Sequence, residues 1–311
     1  VMGSKELKAI AVRGTGNLTP ADAEAFAEVR KAVMDKVNEG MFTMALKAMG
    51  TNAGMVMGMT MGDVPTKNWI LGEEMECANE LSSIVMNEKY LTKGSACYGC
   101  PIGCKRNVKV DEGPYKMEAG AGPEYETMGS FGTMCMICNQ AAVNKINELC
   151  NRLGLDTISC GCTIAFAIEC YENGLLKDSD TGGLKLNWGN ADAVIELIKK
   201  IAARQGLGDL LAEGSRAAAR KIGKGAPDLT AEVKGLEAPM HDPRAFHGLG
   251  LAYAMSVRGA CHLSHLDLFA EQGGVAMPEV GIEGGYVGQS SEGKGKLVWI
   301  TENLASVLQA T

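Results

Sequence analysis

Histidine, aromatic residues and positive charge are all scarce in this chain of 311 residues. A net charge of −7 and a pI near 5.3 exclude the basic footprint that nucleic-acid binding needs. Aromatics make up 5% of the residues against 18 methionines, so the core is expected to be soft and largely helical. No run of about 18 apolar residues occurs, and no transmembrane helix is expected. The opening Val1-Met2-Gly3-Ser4-Lys5 carries no apolar signal-peptide segment. With 46% apolar and 22% charged residues, the chain is long enough for one large or two ordinary globular domains. The 11 cysteines lack the look of a disulfide scaffold, which points to a reducing compartment and to metal or catalytic use. A chain that opens on Val1 and closes at Thr311 without a helix cap is expected to be a piece of something longer.

Three of those cysteines organise the rest. Cys97, Cys100 and Cys104 stand at C-x2-C-x3-C spacing in Ala-Cys-Tyr-Gly-Cys-Pro-Ile-Gly-Cys-Lys. Gly99 and Gly103 let the backbone pass close to a bulky ligand, and Pro101 prevents a regular helix from carrying the sulfurs apart. Three such thiolates suit an iron–sulfur cubane whose fourth cysteine comes from elsewhere. Zinc and three unliganded thiols remain alternatives. Lys105 and Arg106 follow directly and could donate hydrogen bonds to cluster sulfurs, or be solvated cations.

Along the chain, residues 4–13 read as a strand or extended lead-in. Thr19-Pro20 signals a helix start with Thr19 as N-cap, the helix running to Gly40. Residues 50–65 read as an irregular connection, 73–88 as helix, and Val108-Lys109-Val110 as a short strand. Gly120 to Gly132 reads as a glycine-rich loop bearing two carboxylates, Glu124 and Glu126. Acids in a glycine-lined apolar pocket can shuttle protons; on a surface loop they are ordinary. Asn139 caps a helix that Gly154 ends, and Asp156 or Thr157 caps the next, a turn whose free amides suit a polar ligand. Asn190 opens a helix halted near Gly206, Gly208–Gly223 holds another, and a closing helix starts at 297. The Gly-Lys-Gly-Ala-Pro segment at 223–227 is the clearest linker.

All four histidines, His241, His247, His262 and His265, fall between positions 241 and 265. His262 and His265 could share a helical face, but no H-E-x-x-H pattern is present, which favours a single proton donor over a metal site. Cys135 and Cys138, separated by Met and Ile, read as core, as do Cys160, Cys162 and Cys170.

Four blocks then fall in one family's order. Cys-x-x-Cys-Pro-x-x-Cys at 97–104, Gly-Pro-Glu-Tyr-Glu-Thr at 122–127, Cys-Asn-x-Leu-Gly-Leu-Asp-Thr-Ile-Ser at 150–159, and Asp-Pro-Arg at 242–244 with the run 250–262 resemble aldehyde ferredoxin oxidoreductase. The resemblance covers essentially the whole chain and implies a mostly α fold: the family's two C-terminal multihelical domains without its N-terminal β domain, of which Val1–Lys5 resembles the end. The implied division is 1–227, carrying the cysteine loop and first pterin motif, and 228–311, truncated at its C-terminus.

The resemblance implies a tungsten (or molybdenum) atom on two pterins, a [4Fe–4S] cluster, ferredoxin as electron acceptor and an aldehyde as substrate. It also implies a homodimer in the cytoplasm of an anaerobe. Cys97, Cys100 and Cys104 would be cluster ligands, and Asn151, Gly154, Leu155, Asp156 and Thr157 the pterin-contacting turn. Glu126, Glu124 and His262 would move protons. Asn151 departs from the family's Asp, and Cys138 stands where the family has a polar residue. The second pterin motif, with the fourth cluster cysteine, should begin near Gln309. The chain alone is therefore expected to be inactive, with its cluster loop empty or disordered. Rival readings are the tungsten subunit of an aromatic acyl-CoA reductase, a non-catalytic iron–sulfur electron-transfer module, and a zinc-stabilised helical scaffold.

Overall fold

Several helices in this computed structural model, those starting at Gln140, Thr157 and Ala191 among them, begin at a side-chain cap that the sequence offers, and the structure describes residues 5–310. α1 (Ala23–Glu39) is capped by Asp22, whose carboxylate accepts from the amides of Glu24 and Ala25. Thr19 is not the cap: residues 7–20 have no regular structure, and no strand forms in the lead-in. The resemblance of residues 1–4 to a domain end lies outside the described residues. Nearly the whole of α1 is exposed.

α2 (Met41–Met49), a tight turn at Thr51–Gly54 and α3 (Met55–Met61) occupy the stretch expected to be irregular. Helical periodicity was invisible there because Met55, Gly58 and Met59 are buried in the core while Met57 and Met61 lie open. α4 (Met75–Glu80) and α5 (Ser83–Lys89) lead into an antiparallel sheet of β1 (Leu91–Ser95), β2 (Lys105–Val110) and β3 (Met117–Ala121), order β1-β2-β3. Leu91 pairs with Val108 and Ser95 with Lys105, so the three-cysteine segment is the connecting turn of the β1–β2 hairpin. β2 alternates, burying Arg106, Val108 and Val110.

From β3 the chain enters α6 (Tyr125–Thr127) and a wide π-type turn, Met128–Thr133, followed by α7 (Gln140–Leu153) and α8 (Thr157–Glu172). The glycines of 120–132 were read as loop formers, but most serve close packing between helical segments. A Cβ on Gly129 would sit 2.5 Å from Met240 Cγ, and one on Gly132 2.3 Å from Leu81 Cδ1. Gly161, on α8, faces the same turn: its Cβ would lie 2.6 Å from Ser130 Cβ and 2.8 Å from the Ser130 carbonyl oxygen. Backbone cannot yield as a flexible side chain does, so Gly161→Ala is expected to destabilise the fold by about 1–3 kcal/mol. Denaturant midpoints of the two proteins measure this; equal midpoints would contradict the packing.

α9 (Asp178–Thr181), α10 (Ala191–Ala203), α11 (Leu207–Leu211) and α12 (Ser215–Ile222) complete the first half. The segment 208–223 read as one helix breaks at Gly214, whose φ is 85°. The remainder holds a small hairpin, β4 (Glu232–Val233) with β5 (Leu236–Glu237), then α13 (His247–Met255), α14 (Asp267–Glu271) and α15 (Lys294–Ala310). The largest apolar cluster runs from Met55 to Ala226 with Met240; smaller ones centre on Phe246, Leu249 and Leu268, and on Ile282 and Leu297. The chain is mostly helical, as its composition implies. Among the described residues no single helix is long and apolar enough to cross a membrane.

Cys77 on α4 and Cys138 ahead of α7 are joined as a disulfide. The reading of Cys138 as simple core is corrected by this pairing: the segment around 135–138 packs against α4 and brings the two side chains into contact. Cys135 is buried core as read, as are Cys160, Cys162 and Cys170.

Candidate functional site

The turn between α7 and α8 is built by three local choices. Asn139 accepts from the Ala142 amide at 3.1 Å and starts α7. Gly154 takes the left-handed conformation, φ 71°, that a side chain would resist, and ends it. Asp156 then accepts from the Ser159 amide at 2.7 Å and starts α8. Asn151 and Gly154 are exposed, whereas Leu155 and Thr157 are half-buried. Thr157 is drawn inward: its hydroxyl meets that of Thr127 at 2.8 Å, and its carbonyl accepts from Ser130 Oγ at 2.9 Å. The start of α8 thus packs directly on α6, the element carrying Glu126.

Glu126 is the centre of the arrangement. Its Oε2 accepts from the Met240 amide at 2.8 Å, while Oε1 is buried without a hydrogen-bond partner among the described residues. Two imidazoles face that free oxygen: His262 Nε2 at 3.4 Å and His241 Nε2 at 3.6 Å. The three atoms lie within 4.8 Å of one another. His241 is held from behind, its Nδ1 2.9 Å from Asp63 Oδ2, and its ring stacks on Tyr125 at 4.8 Å.

Burial pushes the Glu126 carboxyl from its ordinary 4.5 to about 6, against the opposing pull of His241 and the Met240 amide. Burial also lowers His262, to about 3, with repulsion from His241, His265 and Arg258 adding to it. His262 is therefore a neutral imidazole at physiological pH. For His241 burial is again the largest influence and a lowering one, but attraction and hydrogen bonding from Asp63, with Glu126, outweigh it and raise the ring above the usual histidine value.

The shift of Glu126 has a sign for stability. The folded protein holds this proton more tightly than the unfolded chain, so the contribution is complete below 4.5 and is lost as pH rises through about 6. Glu126→Gln mimics the protonated form. It is expected to match wild type near pH 4 and to be more stable by about 2 kcal/mol near pH 8. Denaturant melts at the two pH values check this; an unchanged difference would contradict it.

Glu124, two positions earlier, does not join the trio. It accepts from the Thr51 hydroxyl, and its charge acts on Cys104. His265 is fully buried against Asp267, and His247 sits beside Ser291.

In the cysteine turn the Cys100 amide donates to the Cys97 carbonyl at 3.1 Å, and Gly99 and Gly103 have φ values of 72° and 70°. Cys97 is exposed, Cys100 and Cys104 are half-buried, and all three are free thiols. Burial first, then Glu124 and the neighbouring thiols, raise the Cys104 thiol. The donor set suits a thiolate-held metal cluster. Arg106 does not serve as a donor to those sulfurs. It is buried beneath the turn, donating to the carbonyls of Gly103 and Lys47 at 2.8 Å and Ala48 at 3.0 Å, and so fastens the hairpin to the end of α2.

Asp63 carries no signal for chemistry in the sequence, and His241 enters only as one of the four clustered histidines. They lie 178 positions apart, and only the clustering of the four histidines hinted at one of them.

A carboxyl that titrates near neutrality between two imidazoles can exchange protons, and three free thiols on one turn can hold a metal cluster. A family model described as "Aldehyde ferredoxin oxidoreductase, domains 2 & 3" matches residues 28–311, and the chain belongs to that family. It is 41% identical over 267 residues to the tungsten-containing aldehyde ferredoxin oxidoreductase of Pyrococcus furiosus, covering 85% of this chain. The corresponding protein of Thermococcus kodakarensis is 40% identical over the same length. An aliphatic sulfonate oxidoreductase WOR-like subunit of Pyrococcus furiosus is 33% identical over 273 residues. The chain spans 43% of the length of these curated relatives. Among solved structures it is similar to the active-site complex BamBC of benzoyl coenzyme A reductase with bound 1,5-dienoyl-CoA. That match has a TM-score of 0.67 and 26% identity, and covers 83% of this chain and 40% of that one.

Proposed function

We propose that the protein carrying this chain oxidises aldehydes to carboxylic acids, with Glu126 and His262 as proton carriers and ferredoxin as electron acceptor. The observation that carries this reading is the unpartnered Oε1 of Glu126, facing His262 Nε2 at 3.4 Å beside the start of α8. Converting an aldehyde and water to an acid releases two electrons and two protons, so the site needs a base that can reload. A carboxyl at about 6 exchanges protons readily near neutrality, and the neutral His262 beside it can accept its hydrogen bond.

In this reading a tungsten–pterin centre supplies the two-electron oxidation, and a [4Fe–4S] cluster passes electrons on singly. Gly154, Leu155, Asp156 and Thr157, with Asn151 in place of the family's Asp, would contact the pterin through the exposed turn. Cys97, Cys100 and Cys104 would hold three irons. Residues 1–227 and 228–311 would be the two helical domains, and the intact protein a cytoplasmic homodimer.

The higher identity to the aldehyde oxidoreductases favours an aldehyde over an aromatic acyl-CoA thioester, to which the benzoyl-CoA reductase likeness points. The test is aldehyde-dependent reduction of ferredoxin by the protein purified without oxygen. Activity with aldehydes alone supports the proposal. Reduction of an aromatic acyl-CoA without aldehyde oxidation moves the reading to the acyl-CoA reductases, and no turnover with either overturns it.

A further inference from the structure

His241 stands where three separate parts of the chain meet. Asp63, directly after α3, places its buried carboxylate 2.9 Å from the His241 Nδ1 and also accepts from Gln272 Nε2 at 3.3 Å. The backbones are joined as well, the Asp242 amide donating to the Asp63 carbonyl at 2.7 Å. Tyr125 covers one face of the ring, and Tyr253 Oη donates to the His241 carbonyl at 3.3 Å. A carboxylate behind Nδ1 fixes both the orientation and the tautomer of an imidazole. Nε2 is thereby left for Glu126.

We propose that Asp63 and His241 form a positioning pair for Glu126: Asp63 takes the Nδ1–H of His241, and His241 turns its Nε2–H toward the free Glu126 Oε1, 3.6 Å away. Its catalytic meaning depends on Glu126 being the proton carrier proposed above; its geometry does not.

The groups facing the ring are consistent with an imidazolium. Asp63 and Glu126 attract the charge, and the phenols of Tyr125 and Tyr253 stay neutral because burial raises both well above their ordinary value. His262, 5.5 Å away ring to ring, is neutral. Glu126 thus lies between one imidazole that donates toward it and a neutral one whose Nε2 can accept a hydrogen bond from it. Without Asp63, the positive ring would be lost, Glu126 would hold its own proton to higher pH, and less of it would be available as a base.

The experiment is NMR of the protein labelled with ¹⁵N-histidine and ¹³C-glutamate carboxyl, comparing wild type, Asp63→Asn and Asp63→Glu. In wild type, both His241 nitrogens are expected to carry protons at neutral pH. In Asp63→Asn the His241 titration moves to lower pH and that of Glu126 to higher pH, and Asp63→Glu restores part of each shift. The acid limb of the pH–rate profile should move upward with Glu126. An Nδ1 without its proton in wild type overturns the pair, as do unshifted titrations in Asp63→Asn. Should Asp63→Asn fail to fold, the wild-type protonation pattern decides alone. A wild-type protein showing this pattern but no aldehyde oxidation supports the pair and removes only the proposed reaction.

Discussion

Glu126→Gln is expected to lower turnover of aldehyde oxidation by about 10²- to 10⁴-fold, the usual worth of a positioned general acid–base. The substitution keeps the shape of the side chain and an oxygen to accept the Met240 amide, which Oε2 does at 2.8 Å in wild type. It removes the exchangeable proton opposite His262. Because Gln imitates the protonated acid, the variant should be at least as stable as wild type at neutral pH, so lost activity would not be lost fold. KM should change far less than kcat, since the effect lies in proton transfer and not in binding. A variant within about threefold of wild-type kcat would remove Glu126 from the chemistry.

Cys100→Ser is expected to cost the protein its cluster. The residue sits at the middle of the β1–β2 turn, half-buried, with its amide tied to Cys97. A serine hydroxyl does not replace a thiolate toward iron, and the flanking thiols cannot close the gap because β1 and β2 fix both ends of the turn. Iron should fall from about four per chain toward zero, with the visible absorption, and electron delivery to ferredoxin should fall with it. The hairpin itself should survive, since Arg106 fastens it through three carbonyls rather than through the sulfurs. Unchanged iron in Cys100→Ser would show that the turn holds no cluster.

How far the sequence foretold this site depends on the distance over which each signal acts. The α7–α8 turn was legible residue by residue, because Asn139, Gly154 and Asp156 each act on amides or torsions within four positions. The cysteine turn was legible for the same reason, but β1, which makes it the tip of a hairpin, was not. Two competing caps lie close together at Thr19 and Asp22, and it is the Asp22 carboxylate that accepts from the first amides of α1. The stretch 120–132 misled because glycine has two uses. Gly129 and Gly132 admit Met240 and Leu81 against a helical turn, and nothing local distinguishes that from a loop. Asp63 and His241 come together only when α3, α6 and the segment before α13 are already packed, so no spacing could announce them. The Cys77–Cys138 bond, across 61 positions, is of the same kind.

In the proposed function this chain frames a tungsten-and-iron redox centre with Glu126 as its proton carrier. Elemental analysis with a visible spectrum, on the protein purified without oxygen, tests it most directly. About one tungsten and four irons per chain is the expected result. Iron without tungsten would contradict the claim in favour of an electron-transfer module, and zinc or no metal at all would leave only a helical scaffold.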